Sequence, residues 1–364
     1  MTGHRPPRWL ILSAYQSDSH AYWAEWLPRA FPNIDWRLLT LPGRYFKWRI
    51  RGNPLSWIDR IEAACAGVDG VIATSMVDLA TLRGLCPALT RVPNLYYFHE
   101  NQFAYPVGPQ QRPSAEPQMV QLYGALAADR LIFNSRWNAQ SFLDGVEALL
   151  ARMPDAVPAG VRSRITDKST VIPVPVEPLA PAGPTHRDPG LIVWNHRWEY
   201  DKAPEVFTRA MMALAGEGAD FRLALLGARP AKTPAALAEL TERLGERIVA
   251  NGHVDRARYE ALLGQAGLAV STAIHEFQGI GMLEAVSAGA VPIVPDALVY
   301  PEQYPAGYRY PSGNAEALVR RLAQWLDDPP AAPDVTDWLA EAVKPQWAGL
   351  WTEFGASGHC RIGD

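Results

Sequence analysis

Short apolar runs alternate with longer helix-compatible segments along most of the chain, and this alternation limits the folds that the chain can adopt. The first half places its runs at 9–14, 70–74, 94–98, 130–133 and 169–173, and the second half at 191–194, 222–226, 247–249, 268–271 and 291–294. Apolar runs of this kind, separated by helical segments, are typical of parallel strands in βαβ units. The pattern therefore predicts an α/β fold built from doubly wound parallel sheets.

Two proline-rich stretches, 173–190 and 328–335, interrupt this pattern. Neither can continue a helix or a central strand. Because 364 residues exceed the usual size of one domain, we predict an N-terminal domain over 1–178 and a C-terminal domain over 188–327, followed by a helical tail over 336–364. The tail could return to the N-terminal domain or pack on its own domain.

The composition argues against several classes of protein. Cys65, Cys86 and Cys360 are widely spaced and form no CxxC pair, which argues against a disulfide framework or a structural zinc site and favours a reducing cytoplasm. The apolar runs are too short for a membrane span or a signal peptide, so no stable membrane insertion is expected. The net charge is −4, but residues 1–60 hold nine Arg or Lys against four Asp or Glu. A local basic patch could therefore still bind phosphates.

Glu276 and Glu284 flank a glycine-containing segment that leads into a helix-like stretch. Gly279 and Gly281, with Ile280 between them, let backbone N–H groups approach an anion at a helix N-terminus, and a diphosphate fits there. A carboxylate beside an anion is favourable only if it accepts hydrogen bonds from hydroxyls, so both glutamates are predicted ligands of a sugar or a ribose. The alternative is a solvated helix start whose acidic residues complement the helix dipole.

A second polar loop follows the apolar run 191–194 and contains Asn195, Arg197 and Lys202. Parallel strands deliver the residues at their C-terminal ends to the ligand crevice of the sheet. Arg197 could neutralise a leaving diphosphate through a bidentate fork and Lys202 as a point charge. Each cation alone would be typical of a solvated surface, but the two together with the glutamate pair favour a nucleotide-sugar site.

The order Arg197, Lys202, Glu276, Glu284 resembles the donor-binding half of retaining GT-B glycosyltransferases, in which an Arg and Lys pair precedes Glu, seven residues and Glu. The N-terminal half is similar to the tRNA-queuosine mannosyltransferase group. The residues that carry this second resemblance are Ser19 and His20, the segment 97–105 (YFHENQFAY), residues 133–135, Asn138, residues 141–143 and the basic, aromatic segment 41–51.

The resemblance implies two Rossmann-like domains facing a cleft. It also implies transfer of mannose from GDP-mannose to queuosine in the anticodon loop of an aspartate tRNA, with retention of configuration. Such an enzyme is expected to need neither a cofactor nor a metal ion, because cations and a helix terminus can hold the diphosphate.

Related enzymes place a histidine at the sugar, and His99 directly follows the strand predicted at 94–98. The predicted catalytic residues are therefore His99, Arg197, Lys202 and Glu276. The predicted donor-binding residues are Gly279, Ile280, Gly281, Glu284, His20 and Asn195. Two alternatives stay open: His20 could be a surface residue, and 99–102 could be a network that only orders its loop. The loop 15–20 lacks glycine, which disfavours a dinucleotide-binding oxidoreductase.

Residues 44–51 interleave cations with aromatic rings, a pattern that suits the phosphates and unpaired bases of an RNA loop. From 47 to 51 polar and apolar residues alternate, which favours an extended segment. The predicted acceptor-binding residues are Ser19, Glu100, Asn101, Arg44, Lys47, Trp48, Arg49 and Arg51. Alternatives are a membrane-surface element serving a lipid acceptor, a core role for Trp48 and Ile50, and a helix N-cap role for Ser19. Broader rivals are a glycosyltransferase with a lipid or small-molecule acceptor and a nucleotide-binding protein without catalysis.

Overall fold

The computed structural model describes residues 5–106, 114–179, 187–230 and 233–356. The chain divides into two compact units: Met1–Pro175 with Val343–Asp364, here called the N-terminal domain, and Val176–Ala342, here called the C-terminal domain. Each domain is built on its own sheet of parallel strands.

The N-terminal sheet has the strand order β2-β1-β3-β4-β5-β6. Its strands are β1 (Arg8–Gln16), β2 (Asp35–Pro42), β3 (Gly70–Thr74), β4 (Asn94–Phe98), β5 (Arg130–Phe133) and β6 (Ser169–Val171). The helices between them are α1 (Asp18–Ala30), α2 (Phe46–Trp57), α3 (Ile61–Cys65), α4 (Leu79–Leu85), α5 (Glu116–Ala127), α6 (Arg136–Leu150) and α7 (Val161–Thr166). Strands β3 and β4 are buried along their whole length, as expected of central strands covered on both faces.

The C-terminal sheet has the strand order β12-β11-β10-β7-β8-β9. Its strands are β7 (Asp188–Asn195), β8 (Arg222–Leu226), β9 (Ile248–Gly252), β10 (Ala266–Val270), β11 (Val291–Pro295) and β12 (Arg309–Tyr310). The helices are α8 (Pro204–Gly216), α9 (Ala235–Leu244), α10 (Arg256–Gln265), α11 (Ile280–Ser287), α12 (Tyr300–Gln303) and α13 (Ala315–Asp327), and α14 (Ala340–Ala356) ends the described chain.

Strand order reverses between β7 and β10, which pair directly although β8 and β9 lie between them in sequence. Ligands of open α/β sheets bind outside the C-terminal ends of strands at such a switch point. The loops after β7 and β10 carry the polar residues that the sequence singled out, so the topology of this domain brings 195–202 and 271–281 together.

All the strands predicted from apolar runs are present, and within the described residues two further strands, β2 and β12, were not predicted. Strand β2 lies at the sheet edge, where only Leu39 and Leu41 are buried. An edge strand needs few apolar residues, so β2 lacks the run that marks a central strand. Strand β12 has only two residues, too few for a periodic pattern.

The prediction of an extended segment at 47–51 is wrong, because these residues lie in helix α2. Ile50, Pro54 and Trp57 are buried at spacings of four and three residues, which match one face of a helix. Five residues were too short a window to distinguish the two-residue period of a strand from the 3.6-residue period of a helix.

Helix α14 contributes two tryptophans to the N-terminal domain. Trp347 lies 5.9 Å from Trp23 between ring centroids, and Trp351 lies 5.0 Å from Trp9. Both α14 tryptophans are buried. The last helix therefore supplies part of the core of the domain that the chain builds first.

Candidate active site

The loop after β7 is held against the end of β8 by a glycine. Gly227 has φ +115°, and a Cβ atom at this position would lie 2.1 Å from the carbonyl oxygen of His196. Only glycine fits this close approach. Ala203 then takes a left-handed conformation, with φ 43°, immediately before Pro204 begins α8. The chain between 196 and 203 is thus fixed at both ends.

Lys202 is the centre of a buried ionic cluster at this loop. Its Nζ lies 2.8 Å from the carbonyl oxygen of His275, 3.1 Å from Oε2 of Glu276 and 3.2 Å from Oδ2 of Asp201. An ammonium group has three N–H donors, of which two hydrogen-bond the His275 carbonyl oxygen and Glu276, while Asp201 adds an ion pair. In this structure the charge of Lys202 is therefore balanced within its own domain, and its predicted role as a point charge for the diphosphate stays a prediction.

The charges in this cluster stabilise one another against burial. Burial acts to raise the pKa of Glu276, but Lys202 and then His196 outweigh it and lower that pKa to about 2. Burial likewise acts to lower the pKa of Lys202, whereas Glu276 and Asp201 together raise it above its ordinary value. Both groups are ionised at neutral pH, so Glu276 presents a carboxylate in a fixed position.

Arg197 is about half exposed and pairs with Glu199, with Nη1 3.1 Å from Oε1. Its charge acts to lower the pKa of Lys202, so the two cations lie near each other. Gly279 occupies the N-cap position of α11 with φ 67°, a left-handed conformation that suits glycine. Arg197 and the first N–H groups of α11 are thus the positive features of this loop cluster that could face an anion.

Glu284 belongs to a second hydrogen-bonded group that sequence reasoning did not find. Its carboxylate accepts from the Tyr259 hydroxyl at 2.5 Å and from Arg256 at 3.0 Å. Asn195 donates to the Tyr259 hydroxyl at 2.7 Å and to the carbonyl oxygen of Gly281 at 3.1 Å. Arg256 and Tyr259 are one turn apart on α10, and only the fold reveals that this turn faces Glu284.

Gly281 has a packing role in addition to the predicted one of opening its backbone N–H to an anion, which stays a prediction. A Cβ atom there would lie 2.7 Å from Nδ2 of Asn195. The bare glycine therefore admits the Asn195 side chain from β7. Ile280, the first residue of α11, is partly buried between Gly279 and Gly281.

In the N-terminal domain, His20 and His99 meet although they are far apart in sequence. Their ring centroids are 4.0 Å apart, and Ser17 Oγ lies 2.7 Å from Nδ1 of His20. Both rings are buried, so the alternative of His20 as a surface residue is wrong. Trp23 and Tyr97 pack edge-on against His99 at 5.1 and 4.7 Å. Burial, and secondarily the His20 ring, hold the pKa of His99 well below its ordinary value, so this imidazole is neutral at pH 7.

Ser19 is exposed in the first turn of α1, whose N-cap is Ser17, so the predicted N-cap role for Ser19 is wrong. Asn101 is fully buried, and its amide nitrogen lies 2.9 Å from Oδ1 of Asn138 and 2.9 Å from the Ser141 hydroxyl. The Asn101 side chain therefore orders the loop after β4, and its predicted contact with the acceptor stays a prediction. Glu100 is partly exposed and accepts from the Gln102 amide at 3.1 Å.

Helix α2 displays part of the predicted acceptor segment. Trp48 is 50% exposed and lies over Gly52, where a Cβ atom would meet its ring at 2.6 Å. Arg44 and Lys47 are exposed, and Tyr45 is 69% exposed, so a core role for Trp48 is wrong.

The other two predicted cations of this segment have different surroundings. Arg51 forms an ion pair with the buried carboxylate of Asp78 and a 3.2 Å hydrogen bond to Thr81, so it is a structural residue of this helix layer. Its side chain is nevertheless 54% exposed, and its predicted role in phosphate binding stays a prediction. Arg49 is partly buried.

None of the helices in the described ranges has the length and apolar character needed to cross a membrane. Across the same part of the chain, no three His, Cys, Asp or Glu side chains are grouped so that they could hold a metal ion.

Comparison with solved structures defines the class of this fold. Sucrose-phosphate synthase from Thermosynechococcus elongatus superposes with a TM-score of 0.71 at 17% identity, covering 97% of this chain and all of that one. HepE from Anabaena in complex with UDP superposes with a TM-score of 0.67 at 14% identity, covering 95% of this chain and 99% of that one. Two doubly wound domains with these neighbours define a GT-B glycosyltransferase fold.

Sequence comparison is more specific. Residues 8–176 match the family described as tRNA-queuosine alpha-mannosyltransferase N-terminal, and residues 190–328 match glycosyl transferases group 1. The tRNA-queuosine alpha-mannosyltransferase of Drosophila melanogaster is 33% identical over 327 residues, covering 87% of this chain and 86% of its own length. The chain belongs to the tRNA-queuosine alpha-mannosyltransferase family.

Proposed function

We propose that the protein transfers mannose from GDP-mannose to queuosine in the anticodon loop of an aspartate tRNA, with retention of configuration. The observation that carries this proposal is the 33% identity to a tRNA-queuosine alpha-mannosyltransferase along most of both chains. The ordered cluster of Arg197, Lys202 and Glu276 supports it, because this cluster provides the features that a nucleotide-sugar donor needs.

On the donor side, Arg197 and the N-terminus of α11 at Gly279 bind the diphosphate. Glu276 accepts hydrogen bonds from sugar hydroxyls while it keeps its bond to Lys202, because a carboxylate has about four lone-pair sites. Lys202 thus contributes by holding Glu276 ionised and in position. Glu284 orients the ribose from the other end of the glycine segment.

In the transfer step, the bond from the anomeric carbon to the diphosphate oxygen breaks, and a bond to the acceptor hydroxyl oxygen forms on the same face of the sugar. The departing phosphate takes the proton of that hydroxyl. Such a step needs no protein nucleophile, and catalysis consists of alignment and charge stabilisation. A neutral His99 suits it, because an uncharged imidazole can hydrogen-bond a sugar hydroxyl without opposing the positive charge that develops at the anomeric carbon.

On the acceptor side, Arg44 and Lys47 contact phosphates while Tyr45 and Trp48 stack on unpaired bases, a combination typical of single-stranded RNA loops. All four lie exposed at or just before the start of α2. Ser19, at the start of α1, and the partly exposed Glu100 remain candidates for contacts with the modified base. A tRNA acceptor and the two buried, reduced thiols Cys65 and Cys86 also support a cytoplasmic location.

The test is incubation with GDP-mannose and total tRNA from cells that make queuosine, followed by mass spectrometry of the nucleosides. We expect a hexose-modified queuosine in aspartate tRNA, and none with Glu276→Gln. Mannose transfer to a lipid or a small molecule with unchanged tRNA would favour the first rival. Donor binding without hydrolysis or transfer to any acceptor would favour a non-catalytic nucleotide-binding protein.

A further inference from the structure

His196 is a buried polar side chain of the donor domain to which no role has been given so far. It directly follows β7 and precedes Arg197, and its backbone N–H bonds to the carbonyl oxygen of Leu226 at 3.3 Å. The ring is 7% exposed and meets the Trp194 ring edge-on at 5.3 Å between centroids. The close approach of Gly227 fixes the backbone at this point, so the position of the imidazole is determined by the fold.

The Nε2 atom of His196 is buried and has no hydrogen-bond partner among the described residues. Buried polar atoms are nearly always hydrogen-bonded, and leaving one unsatisfied costs about 1–3 kcal/mol. An atom of this kind beside a proposed substrate site points to a group that is bound there during function.

The surroundings of the ring show which cluster it belongs to. Lys202, Glu276 and Asp201 all act electrostatically on His196, so the imidazole lies within the ionic cluster described above. Lys202 hydrogen-bonds the His275 carbonyl oxygen and Glu276, and its charge is balanced by Glu276 and Asp201. The polar atoms of this cluster that keep hydrogen-bonding capacity include Nε2 of His196 and the carboxylate of Asp201, and the Glu276 carboxylate has lone pairs beyond its bond to Lys202.

The protonation state of the ring selects the chemistry of its partner. Burial, followed by the positive charge of Lys202, lowers the pKa of His196 to about 4, so the ring is neutral at pH 7. A neutral imidazole brings no charge to a phosphate but forms a good hydrogen bond with a hydroxyl. The neighbouring carboxylate of Glu276 likewise favours a hydroxyl over an anion.

We propose that Nε2 of His196 hydrogen-bonds a hydroxyl of the donor's sugar, next to the hydroxyls held by Glu276, and that His196 is thereby a specificity-determining residue for that sugar. This assignment rests on the proposed function only in so far as the donor is a nucleotide sugar. It does not depend on the acceptor.

The test compares the affinity for a nucleotide sugar with the affinity for its nucleoside diphosphate. Calorimetry is carried out with GDP-mannose against GDP, and with UDP-glucose against UDP, on the wild-type protein, His196→Phe and His196→Gln. Phe keeps an aromatic ring without a polar atom, whereas the amide of Gln reaches the region of Nε2. For the pair that the wild type binds, we expect His196→Phe to weaken binding of the nucleotide sugar about 5- to 30-fold, the effect of one lost hydrogen bond. Binding of the nucleoside diphosphate should weaken less than about 2-fold. Gln should restore part of the loss.

Trp194→Phe is the matched control, because it alters the ring that packs against His196 and removes only the indole donor to Thr272, not the proposed contact with the sugar. It should leave the ratio of the two affinities unchanged. The proposal is overturned if His196→Phe weakens both ligands equally, as loss of packing or of a bound water would, or if it weakens neither. The proposal is also overturned if the wild type binds the nucleotide sugar no more tightly than its nucleoside diphosphate.

If His196→Phe does not fold, the decision passes to deoxy forms of the sugar tested on the wild type and on His196→Gln. Removal of the contacted hydroxyl should then weaken binding to the wild type more than to the variant, and an equal effect on both proteins rejects the contact. None of these measurements involves tRNA. A failure here is therefore distinguishable from a failure of the proposed acceptor, which the tRNA assay detects by itself.

Discussion

At the scale of single residues, the two cations of the donor loop have different tasks. Lys202 is buried and engaged by two carboxylates and a carbonyl oxygen, whereas Arg197 is half exposed beside Glu199. Arg197 and Lys202 carry the same charge and lie close together in sequence, so the sequence alone did not distinguish their roles. The order of motif residues indicated the site and the class of ligand. It did not indicate which cation stabilises the domain and which faces the ligand.

Lys202→Ala should therefore reduce stability as well as activity. It removes the buried cation that pairs with the carboxylates of Asp201 and Glu276, and loss of one partner of such a cluster costs about 3–5 kcal/mol. Urea denaturation should show this loss. Arg197→Ala is the matched variant, with a stability change within about 0.5 kcal/mol because its side chain is half solvated. Equal destabilisation by the two variants would contradict the division of tasks.

Arg197→Ala should weaken GDP binding about 10-fold or more, because a charge-assisted hydrogen bond contributes about 1.5–3 kcal/mol. Calorimetry with GDP measures this directly. Full retention of GDP affinity would remove Arg197 from the diphosphate site.

The neutral state of His196 predicts how stability depends on pH. Its pKa is 6.5 as an ordinary value and about 4 in the folded protein. As the pH falls, the unfolded chain therefore binds a proton at this histidine before the folded protein does. The stability that the neutral His196 contributes is complete above pH 6.5 and is lost as the pH approaches 4. The loss of unfolding free energy over this pH range is about 3 kcal/mol. Unfolding free energies at several pH values should decline less steeply below pH 6.5 in His196→Phe than in the wild type, and an unchanged slope would contradict this.

At the scale of elements, apolar runs predicted central strands because such strands are buried on both faces. The same criterion missed β2 at a sheet edge and mistook part of α2 for an extended segment. The site residues that were missed, Asp201, Tyr259 and Arg256, share a cause. Tyr259 and Arg256 act through Glu284 on another helix, and Asp201 is a ligand of Lys202 only because the fold buries both side chains; neither cross-element pairing nor burial of a charged loop residue follows from a local pattern.

The junction of the β7 and β8 ends depends on Gly227. Gly227→Ala should distort the 196–203 loop, because the added Cβ atom would lie 2.1 Å from the His196 carbonyl oxygen and φ is +115°. We expect loss of donor binding together with a lower Tm. Gly216→Ala, at the end of α8 where a Cβ atom meets no neighbour within 4 Å, is the matched control and should preserve both. A normal Tm and normal GDP affinity for Gly227→Ala would show that the loop is not fixed there.

Helix α2 carries some side chains that are proposed to bind RNA and others that stabilise the fold. Trp48→Ala and Lys47→Ala should weaken tRNA binding with little change in Tm, because both side chains are exposed. Arg51→Ala should chiefly lower Tm, since it leaves the buried Asp78 carboxylate without its ion pair. Filter binding and thermal denaturation measure the two effects. Unchanged tRNA affinity in a Lys47, Trp48 double alanine variant would remove this helix from the acceptor site.

At the scale of the whole molecule, the chain passes from the N-terminal domain to the C-terminal domain and returns to the first with α14. Sequence reasoning left this return open, because tryptophans at helical spacing indicate burial without indicating against which domain. The structure gives the partners as Trp9 and Trp23 for Trp351 and Trp347. The N-terminal core is thus assembled from both ends of the sequence.

Trp347→Ala should destabilise the N-terminal domain by about 3–5 kcal/mol, the usual cost of truncating a fully buried tryptophan. Hydrogen exchange followed by mass spectrometry should locate the lost protection in β1 and β4, while GDP binding by the C-terminal domain persists. Thr352→Ala, on an exposed part of the same helix, should change neither. Lost protection confined to the C-terminal sheet would contradict this assignment.

The return of α14 has a consequence for synthesis in the cell. A ribosome releases the N-terminal strands early, but the two tryptophans that cover Trp9 and Trp23 emerge only after the entire second domain has been translated. Until then those indoles lack their final cover, so the first domain to be made is the last to be completed. Newly made chains should therefore depend on chaperones that shield apolar surface, and nonsense mutations near the 3′ end of the message should damage the domain encoded at its 5′ end.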